Sequence, residues 1–369
     1  MEPFEGLPRI DLRRDTRSEA AHAAWRNRCQ RSAGLDGDAD AAAATVIAAV
    51  AARGDAALVE FIAQFEGRTV TAETLEVTSE RRDAALATVP AEVVDALSQA
   101  ADNIRRFHLT QCTETTGLVQ DGIRLHTRLD PLRRVAVYAP GGTAAYPSSV
   151  LMTAIPAKVA GVTEVILLTP RATGPVLVAA HLSGADRIFE VGGAQAIAAA
   201  ALGTATIPRV DKIVGPGNAY VTAAKRRVYG LCDIDGIAGP SEILVAADSS
   251  AQPEVIAADM LAQAEHDRLA CAIVVTDDST LPDRIDAALA TQLADLPRRD
   301  IALPSLQQQG AAVLVDDRAA LLDVIQEYCP EHLELLVQDA RALAEQVRGA
   351  GAIFVGPWTP EAAGGLHRG

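Results

Sequence analysis

The segment Cys329-Pro330-Glu331-His332 places a carboxylate directly beside an imidazole. These two groups commonly transfer protons in enzymes, so Glu331 and His332 are a candidate acid/base pair. Consecutive residues of a strand point to opposite faces, and the two side chains can act together only if a turn places them. The alternative interpretation is an ordinary surface dipeptide.

Gln263 and His266 form a second candidate site, because a spacing of three near the end of a predicted helix gives their side chains a common face. Imidazole is a frequent zinc ligand, and an amide oxygen is an unusual one. Two ligands cannot complete a tetrahedral site, so a further protein group or a substrate atom is needed. A helix-end histidine that caps carbonyl groups is the alternative.

Three glycine-bearing turns follow predicted strands and precede predicted helices. They are Pro140-Gly141-Gly142, Gly192-Gly193-Ala194-Gln195 and Gly215-Pro216-Gly217-Asn218. Such turns let a backbone approach a ligand, and the helix N-termini behind them attract anions. Tyr138, Gln195 and Asn218 add an aromatic face and amide groups. The third turn begins like G-x-G-x-x-G but has Tyr220 in the last position, so the turns indicate a nucleotide pocket without naming the nucleotide.

Short apolar strands and helices alternate from Arg134 onward, which predicts parallel sheets covered by helices on both faces. One series of strands contains RVAVYAP, EVILLTP, RIFEVGG and DKIVGPG; a second contains EILVAAD, ACAIVVTDD, AAVLVDD, HLELLV and AIFVG. The chain before them is mostly helical, with predicted helices over Ala41–Val59, broken by Gly54, and over Ala91–Gln111. The fold class that we expect is α/β, with two Rossmann-like parallel-sheet domains and a helical N-terminal region.

Composition excludes several classes of protein. With 48 acidic and 33 basic residues the net charge is −15, which disfavours binding to nucleic acid. The five cysteines are scattered and odd in number, unlike a disulfide framework or a four-cysteine zinc site. No segment has the apolar length of a membrane span or the pattern of a signal peptide, so we expect a cytoplasmic protein.

Read together and in order, these segments resemble histidinol dehydrogenase. The matching stretches are GDAALVEFIAQFEG, NIRRFH, VAVYAPGGTAAYPSSVLMTAIPAKVAGV, VGGAQAIAAAALGT, VDKIVGPGNAYVTAAKRRV, DGIAGPSEILVAAD, DMLAQAEHD and EYCPEHLELLV. The resemblance covers nearly the whole chain. It implies a zinc-containing homodimer that uses NAD to oxidise L-histidinol through L-histidinal to L-histidine, the last step of histidine biosynthesis.

The resemblance also implies roles for individual residues. By position, Tyr138, Gln195 and Asn218 would contact NAD. Ser241 would contact the substrate, and Gln263 and His266 would bind both zinc and substrate. His332 would bind substrate and accept the hydroxyl proton, and Glu331 would activate the water that adds to the aldehyde.

The domain boundaries that we expect follow the same reasoning. Residues 1–30 form an N-terminal arm, and residues 138–241 form the NAD-binding Rossmann-like domain. Residues 31–137 and 242–369 together form the substrate-binding and catalytic α/β domain.

The last residues differ from the family pattern, which continues with Gly-Asp-Tyr and a C-terminal helical tail. The family's aspartate and a histidine of the tail bind zinc, whereas Gly365 stands at the aspartate position and the tail is absent from the 369 residues. The ending is one that a single inserted G would produce, which predicts a frameshift. We expect weak zinc binding because only Gln263 and His266 remain as ligands, and a smaller dimer interface because the exchanged tails are missing. We do not expect His367 to replace a lost ligand, because it has no neighbours to orient it.

Two alternatives to histidinol oxidation remain. One is a related NAD-dependent dehydrogenase that acts on another small alcohol, and the other is a non-catalytic, truncated NAD-binding protein. Joint retention of Gln263, His266, Glu331 and His332 favours histidinol over other alcohols. A substrate screen tests the first alternative, and NAD binding without turnover would indicate the second.

Overall fold

The computed structural model describes residues 3–16, 18–30, 37–112, 116–141, 146–237 and 239–362. The strands are β1 (Arg9–Asp11), β2 (Thr116–Gln120), β3 (Ile123–Thr127), β4 (Arg134–Tyr138), β5 (Glu164–Thr169), β6 (Arg187–Glu190), β7 (Lys212–Val214), β8 (Asp233–Ile234), β9 (Glu242–Ala247), β10 (Cys271–Thr276), β11 (Ala311–Leu314), β12 (His332–Leu336) and β13 (Ala352–Val355). The α-helices are α1 (Glu19–Cys29), α2 (Gly37–Arg53), α3 (Asp55–Phe61), α4 (Ser79–Thr88), α5 (Ala91–Leu109), α6 (Pro147–Val159), α7 (Gly174–Ser183), α8 (Gly193–Leu202), α9 (Ala219–Val228), α10 (Pro253–Ala264), α11 (Leu281–Ala294), α12 (Arg299–Gln308), α13 (Arg318–Tyr328) and α14 (Ala340–Ala344). None of the described helices is both long and apolar enough to cross a membrane.

Five parallel strands form one sheet, in the order β6-β5-β4-β7-β8. The chain starts at the central strand β4, runs outward to β6 and then returns to the other side of β4. This is the order of half of a doubly wound fold, in which the crevice for a ligand lies where the direction of winding reverses. In this sheet the reversal lies between β4 and β7.

Both faces of the five-stranded sheet are buried, which explains why its strands are apolar at nearly every position. Ala136 and Tyr138 of β4 pack against α2, α3, α8 and α9. Val135 and Val137 alternate with them and pack against α4, α5, α6 and α7.

The structure divides the chain differently from the expected boundaries. Positions 37–237 form the five-stranded unit, so α2 to α5 belong with this sheet and not with the second domain. The reason is packing: Val46 and Val50 of α2 and Leu58 of α3 share a core with Ile166 of β5. The described residues before position 31 join those from 239 onward in the other unit.

Six parallel strands form the sheet of that other unit, in the order β1-β11-β10-β9-β12-β13. From β9 onward the winding repeats that of the five-stranded sheet, with the reversal between β9 and β12. Ile243 and Val245 of β9 pack with α10, α11 and α12. Leu244 and Ala246 face the opposite core, with α1, α13 and α14.

The expected α/β fold class is confirmed, and the main strands and helices of both series lie where the sequence predicts them. The N-terminal arm is instead part of the six-stranded unit, because β1 pairs with β11 and Trp25 of α1 stacks on Tyr328, with ring centroids 5.5 Å apart. The sequence analysis also missed β8 and the exposed hairpin of β2 and β3.

Candidate active site

Glu331 and His332 lie at the amino-terminal edge of the six-stranded sheet. Glu331 belongs to the turn before β12, and His332 is the first residue of that strand, so a turn does place the pair as required. The Nδ1 atom of His332 lies 3.1 Å from the carbonyl oxygen of Glu242 on the neighbouring strand β9. A carbonyl oxygen only accepts hydrogen bonds, so Nδ1 carries the proton and Nε2 is left as the basic nitrogen.

A carboxylate is placed close to the same ring. Glu361 Oε1 lies 3.7 Å from His332 Nδ1, and both side chains are largely buried. Nε2 is therefore the ring nitrogen of His332 that can accept a proton, with a carboxylate on the Nδ1 side of the ring.

The backbone of Glu331 is held from two sides. Its N–H donates to Glu242 Oε1 at 2.9 Å, and its own carboxylate accepts from the Glu242 N–H at 3.3 Å. On the other side Gly351 approaches so closely that a Cβ there would lie 2.7 Å from the Glu331 carbonyl oxygen. Glu331 thus has little freedom to move relative to His332.

Gln263 and His266 are adjacent in the structure but differ in exposure. Helix α10 ends at Ala264, so Gln263 lies in its last turn and His266 lies just beyond it, with the His266 N–H 3.2 Å from the Gln263 carbonyl oxygen. Gln263 is only 1% exposed, and His266 is exposed. Ser241 is half-buried and directly precedes β9.

The hydrogen bonding of the buried Gln263 side chain bears on whether this region suits a metal. Within the described ranges, neither its amide oxygen nor its amide nitrogen has a hydrogen-bond partner. A buried amide in this state is costly unless some group completes it, and a metal ion or a polar substrate atom could do so. Over the same ranges no three His, Cys, Asp or Glu side chains are grouped as a metal site.

A buried pair of carboxyl groups lies between α10 and β12. Asp259 of α10 hydrogen-bonds Glu334 of β12, and the two residues are 7% and 1% exposed. Burial and the Asp259 charge raise the pKa of Glu334 to about 9, and burial also raises the pKa of Asp259. The pair therefore holds a shared proton near neutral pH.

Sequence reasoning missed Glu242, Glu361, Asp259 and Glu334. A usable signal existed for two of them, because a carboxylate inside an apolar strand or helix face is rarely buried without a partner. Glu334 interrupts HLELL, and Asp259 interrupts the apolar face of α10. The contacts of Glu242 and Glu361 join residues far apart in the chain, which a single sequence does not reveal.

The predicted nucleotide turns lie at the carboxyl edge of the five-stranded sheet. At the start of α8 the Gly193 N–H donates to the Tyr138 hydroxyl at 3.1 Å. The Gly192 N–H donates to Glu66 Oε1 at 3.0 Å, and the Gln195 amide lies 3.4 Å from the same oxygen. Burial raises the pKa of Tyr138 to about 12.

These contacts change the interpretation of two side chains. Tyr138 is 4% exposed and Gln195 is 2% exposed, so neither presents an open face for stacking. They lie beneath the turn before α8. We expected the N-terminus of α8 to face a phosphate, but the Glu66 carboxylate already accepts from the Gly192 N–H there. Gly142 of the first turn lies outside the described residues.

An ion pair between a buried lysine and an exposed aspartate holds the third turn. Asn218 caps α9 by accepting from the N–H groups of Tyr220 and Val221, each at 3.1 Å. The Gly215 carbonyl accepts from Lys225 Nζ at 3.0 Å, and the Gly215 N–H donates to Asp235 at 2.6 Å.

Lys225, which is 3% exposed, and Asp235 also form an ion pair with each other. The pair thus fixes both polar groups of Gly215. It does so at the reversal point of the sheet.

A doubly wound sheet with glycine turns and a second sheet with a candidate acid/base pair are features of an α/β enzyme. The family model for histidinol dehydrogenase matches residues 29–369. The chain belongs to the histidinol dehydrogenase family, whose members are oxidoreductases.

Individual relatives agree with this assignment. The histidinol dehydrogenase of Syntrophotalea carbinolica is 52% identical over 327 residues, which cover 87% of this chain and 76% of that protein. That of Rhodospirillum rubrum is 49% identical over 336 residues, covering 89% and 77%. The crystal structure of histidinol dehydrogenase from Elizabethkingia anophelis has a TM-score of 0.89 at 34% identity and covers 94% of this chain and 81% of that one.

Proposed function

We propose that this chain catalyses the NAD-dependent, four-electron oxidation of L-histidinol through L-histidinal to L-histidine. The observation that carries the proposal is the contact of His332 Nδ1 with the Glu242 carbonyl oxygen, which leaves Nε2 as the basic nitrogen of the residue that follows Glu331. Membership of the histidinol dehydrogenase family supports the choice of substrate.

The chain's own groups supply the proton transfers. In the first oxidation His332 Nε2 accepts the hydroxyl proton as the carbinol carbon loses a hydride, which leaves the aldehyde. Glu331 then removes a proton from a water molecule whose oxygen adds to the aldehyde carbon. The resulting hydrate loses a second hydride from that carbon and becomes the carboxylic acid. NAD, when bound, accepts one hydride in each oxidation, so one histidinol and one water yield two NADH.

We assign NAD to the carboxyl edge of the five-stranded sheet. Tyr138 ends β4 and Asn218 follows β7, on the two sides of the reversal at which doubly wound sheets bind ligands. Gln195 lies in the first turn of α8, which follows β6, and the Gly193 N–H of that turn donates to the Tyr138 hydroxyl. Asn218 is exposed at the start of α9, whereas Tyr138 and Gln195 fix the turn before α8. We propose that Tyr138 and Gln195 shape the floor of the NAD pocket and do not stack directly on NAD.

We assign zinc and substrate to Gln263 and His266, with Ser241 and His332 as further substrate contacts. The buried, unpartnered amide of Gln263 and the exposed imidazole of His266 fit a metal that needs both. Zinc, when bound, would anchor the imidazole and amine of the substrate, which is a positioning role. The resemblance also implies a homodimer, which light scattering during size-exclusion chromatography would test.

The proposal is tested by measuring how many NADH molecules form per molecule of L-histidinol. The 369-residue chain is incubated with zinc, NAD and limiting L-histidinol, and NADH is counted by its absorbance. We expect two NADH per L-histidinol and one per L-histidinal.

A folded chain that binds NAD but forms no NADH from either compound would contradict the proposal. Oxidation of other small alcohols in preference to histidinol would support the alternative dehydrogenase. A panel of primary alcohols without an imidazole is therefore the control.

A further inference from the structure

Glu242 contacts both members of the acid/base pair. Through its main chain it accepts from His332 Nδ1 at 3.1 Å and donates to the Glu331 carboxylate at 3.3 Å. Through its side chain it accepts from the Glu331 N–H at 2.9 Å. We propose that Glu242 is a positioning residue, which fixes Glu331 and His332 in the orientation that proton transfer requires.

The burial of Glu242 supports a role beyond stability. It is the first residue of β9 and 7% exposed, in a strand that is otherwise apolar. Burial of a carboxylate carries a desolvation cost that its contacts must offset, and an apolar residue would often be as stable. Its presence in such a strand fits a residue that fixes the geometry of its neighbours.

Tyr328 holds the second carboxylate oxygen of Glu242. Its hydroxyl donates to Glu242 Oε2 at 3.2 Å, and its ring stacks on Trp25. Both carboxylate oxygens of Glu242 therefore have donors on fixed elements. The donors come from the end of α13 and from the turn before β12, so the carboxylate also sets the path of the chain between them.

A matched control exists at the other end of the same strand. Asp248 directly follows β9, and its Oδ2 accepts from the N–H of Gln338, just after β12, at 2.7 Å. Glu242 and Asp248 thus make the same kind of clamp between β9 and β12 at opposite edges of the sheet. They differ in that Asp248 lies at the edge away from Glu331 and His332.

Three variants separate positioning from general stability. Glu242→Gln keeps an oxygen for the Glu331 N–H, and the Tyr328 hydroxyl can turn to accept from the new amide. Glu242→Leu removes both acceptors, and Asp248→Leu removes the matching clamp at the far edge. We expect kcat to fall about 10- to 100-fold in Glu242→Leu with KM little changed, and to stay within a few fold in Glu242→Gln and Asp248→Leu.

The kinetic readout rests on the proposed function, so a second readout is independent of turnover. Histidine is labelled with ¹⁵N, and Asn in place of His332 (His332→Asn) assigns its signals. We expect the Nδ1–H tautomer of His332 in the wild type and in Glu242→Gln, and a mixture of tautomers in Glu242→Leu.

The two readouts distinguish the ways in which the ideas can fail. A mixed tautomer in the wild type, or an unchanged kcat in folded Glu242→Leu, would overturn the positioning role. An equal loss of kcat in Glu242→Leu and Asp248→Leu would reduce Glu242 to a structural clamp and also overturn it. A wild type with the expected tautomer but no turnover of histidinol would instead count against the proposed function.

Discussion

The two sheets of this molecule wind in the same order but place their candidate sites at opposite edges. In the five-stranded sheet the glycine turns follow the strands, at the carboxyl edge. In the six-stranded sheet Glu331, His332 and Glu242 precede or begin the strands, at the amino edge. The winding order explains the first location. It does not explain the second, which depends on side chains.

The edge without a site is closed by polar contacts in each sheet. At the amino edge of the five-stranded sheet, Arg134 pairs with Glu164 at 2.6 Å and Lys212 with Asp233 at 2.8 Å.

The six-stranded sheet has aspartates at its carboxyl edge, where the other sheet has glycines. Asp248 and Asp278 accept from backbone N–H groups there, and Asp317 caps α13. Burial and neighbouring aspartates raise the pKa of Asp277. An edge with this much negative charge repels phosphates, which favours the five-stranded sheet for the proposed nucleotide site.

Replacing His332 tests whether the two edges act independently. The change His332→Gln removes the basic nitrogen at the amino edge and leaves the glycine turns of the other sheet intact. We expect kcat for histidinol oxidation to fall by about 10²- to 10⁴-fold, the usual contribution of a positioned base. The dissociation constant of NAD, measured by fluorescence titration, should stay unchanged.

A loss of NAD affinity in His332→Gln would contradict this expectation, since it would mean that His332 itself contributes to NAD binding. Circular dichroism of the variant shows whether it is folded. The matching change at the other edge, Asn218→Ala, should have the converse effect, with weaker NAD binding.

The sequence was sufficient for most of the fold because the strands are buried on both faces. Short apolar runs such as EVILLT and EILVAA, rich in β-branched residues, are typical of central strands of a covered sheet, and they lie where they were predicted. The hairpin of β2 and β3 was missed although Asp121-Gly122 is a common two-residue hairpin turn and β3 alternates apolar and polar residues. All of its strand residues are exposed, so it is not part of an apolar core. The three residues of β1 are too few to show a pattern.

Part of the site could be predicted and part could not. Glu331 and His332 are neighbours in sequence, so their chemistry is visible without a structure. Glu242 meets them only because β9 pairs with β12, about 90 residues later in the chain. The placement of α2 to α5 failed for the same reason: which sheet a helix packs on is a tertiary choice that local pattern does not record.

Two glycines with positive φ, Gly215 and Gly230, test how closely the third turn packs on β4. Gly215 has φ +119°, and a Cβ there would lie 2.2 Å from the Tyr138 carbonyl oxygen. Gly230 has φ +99°, but a Cβ there would meet no atom within 4 Å. Gly230→Ala should therefore cost only backbone strain, about 1 to 2 kcal/mol. Gly215→Ala adds a clash with a fixed strand, and we expect about 2 to 4 kcal/mol and weaker NAD binding.

Urea unfolding measures both costs, and NAD titration shows whether the turn is displaced. Equal destabilisation by the two substitutions would mean that the turn yields easily. In that case close packing of Gly215 on Tyr138 would not define the pocket floor.

The interiors of the two sheets also differ in their buried titratable groups, which makes the free energy of unfolding depend on pH. Strand β12 carries Glu334, whose pKa is raised from 4.5 to about 9, whereas β4 and β5 bury mainly apolar residues. Between those two pH values the folded chain keeps a proton that the unfolded chain releases. The free energy of unfolding should therefore fall as pH rises through this window, by at most about 1.4 kcal/mol per pH unit from this group.

Glu334→Gln removes the titrating group, so its stability should change less between pH 6 and pH 8.5 than that of the wild type. Urea unfolding at the two pH values measures the difference. Glu254→Gln, which changes an exposed glutamate at the start of the same helix as Asp259, is the control and should follow the wild type. If Glu334→Gln also follows the wild type, the proton is not held by the Asp259–Glu334 pair. The interiors of the two sheets would then be more alike than their edges.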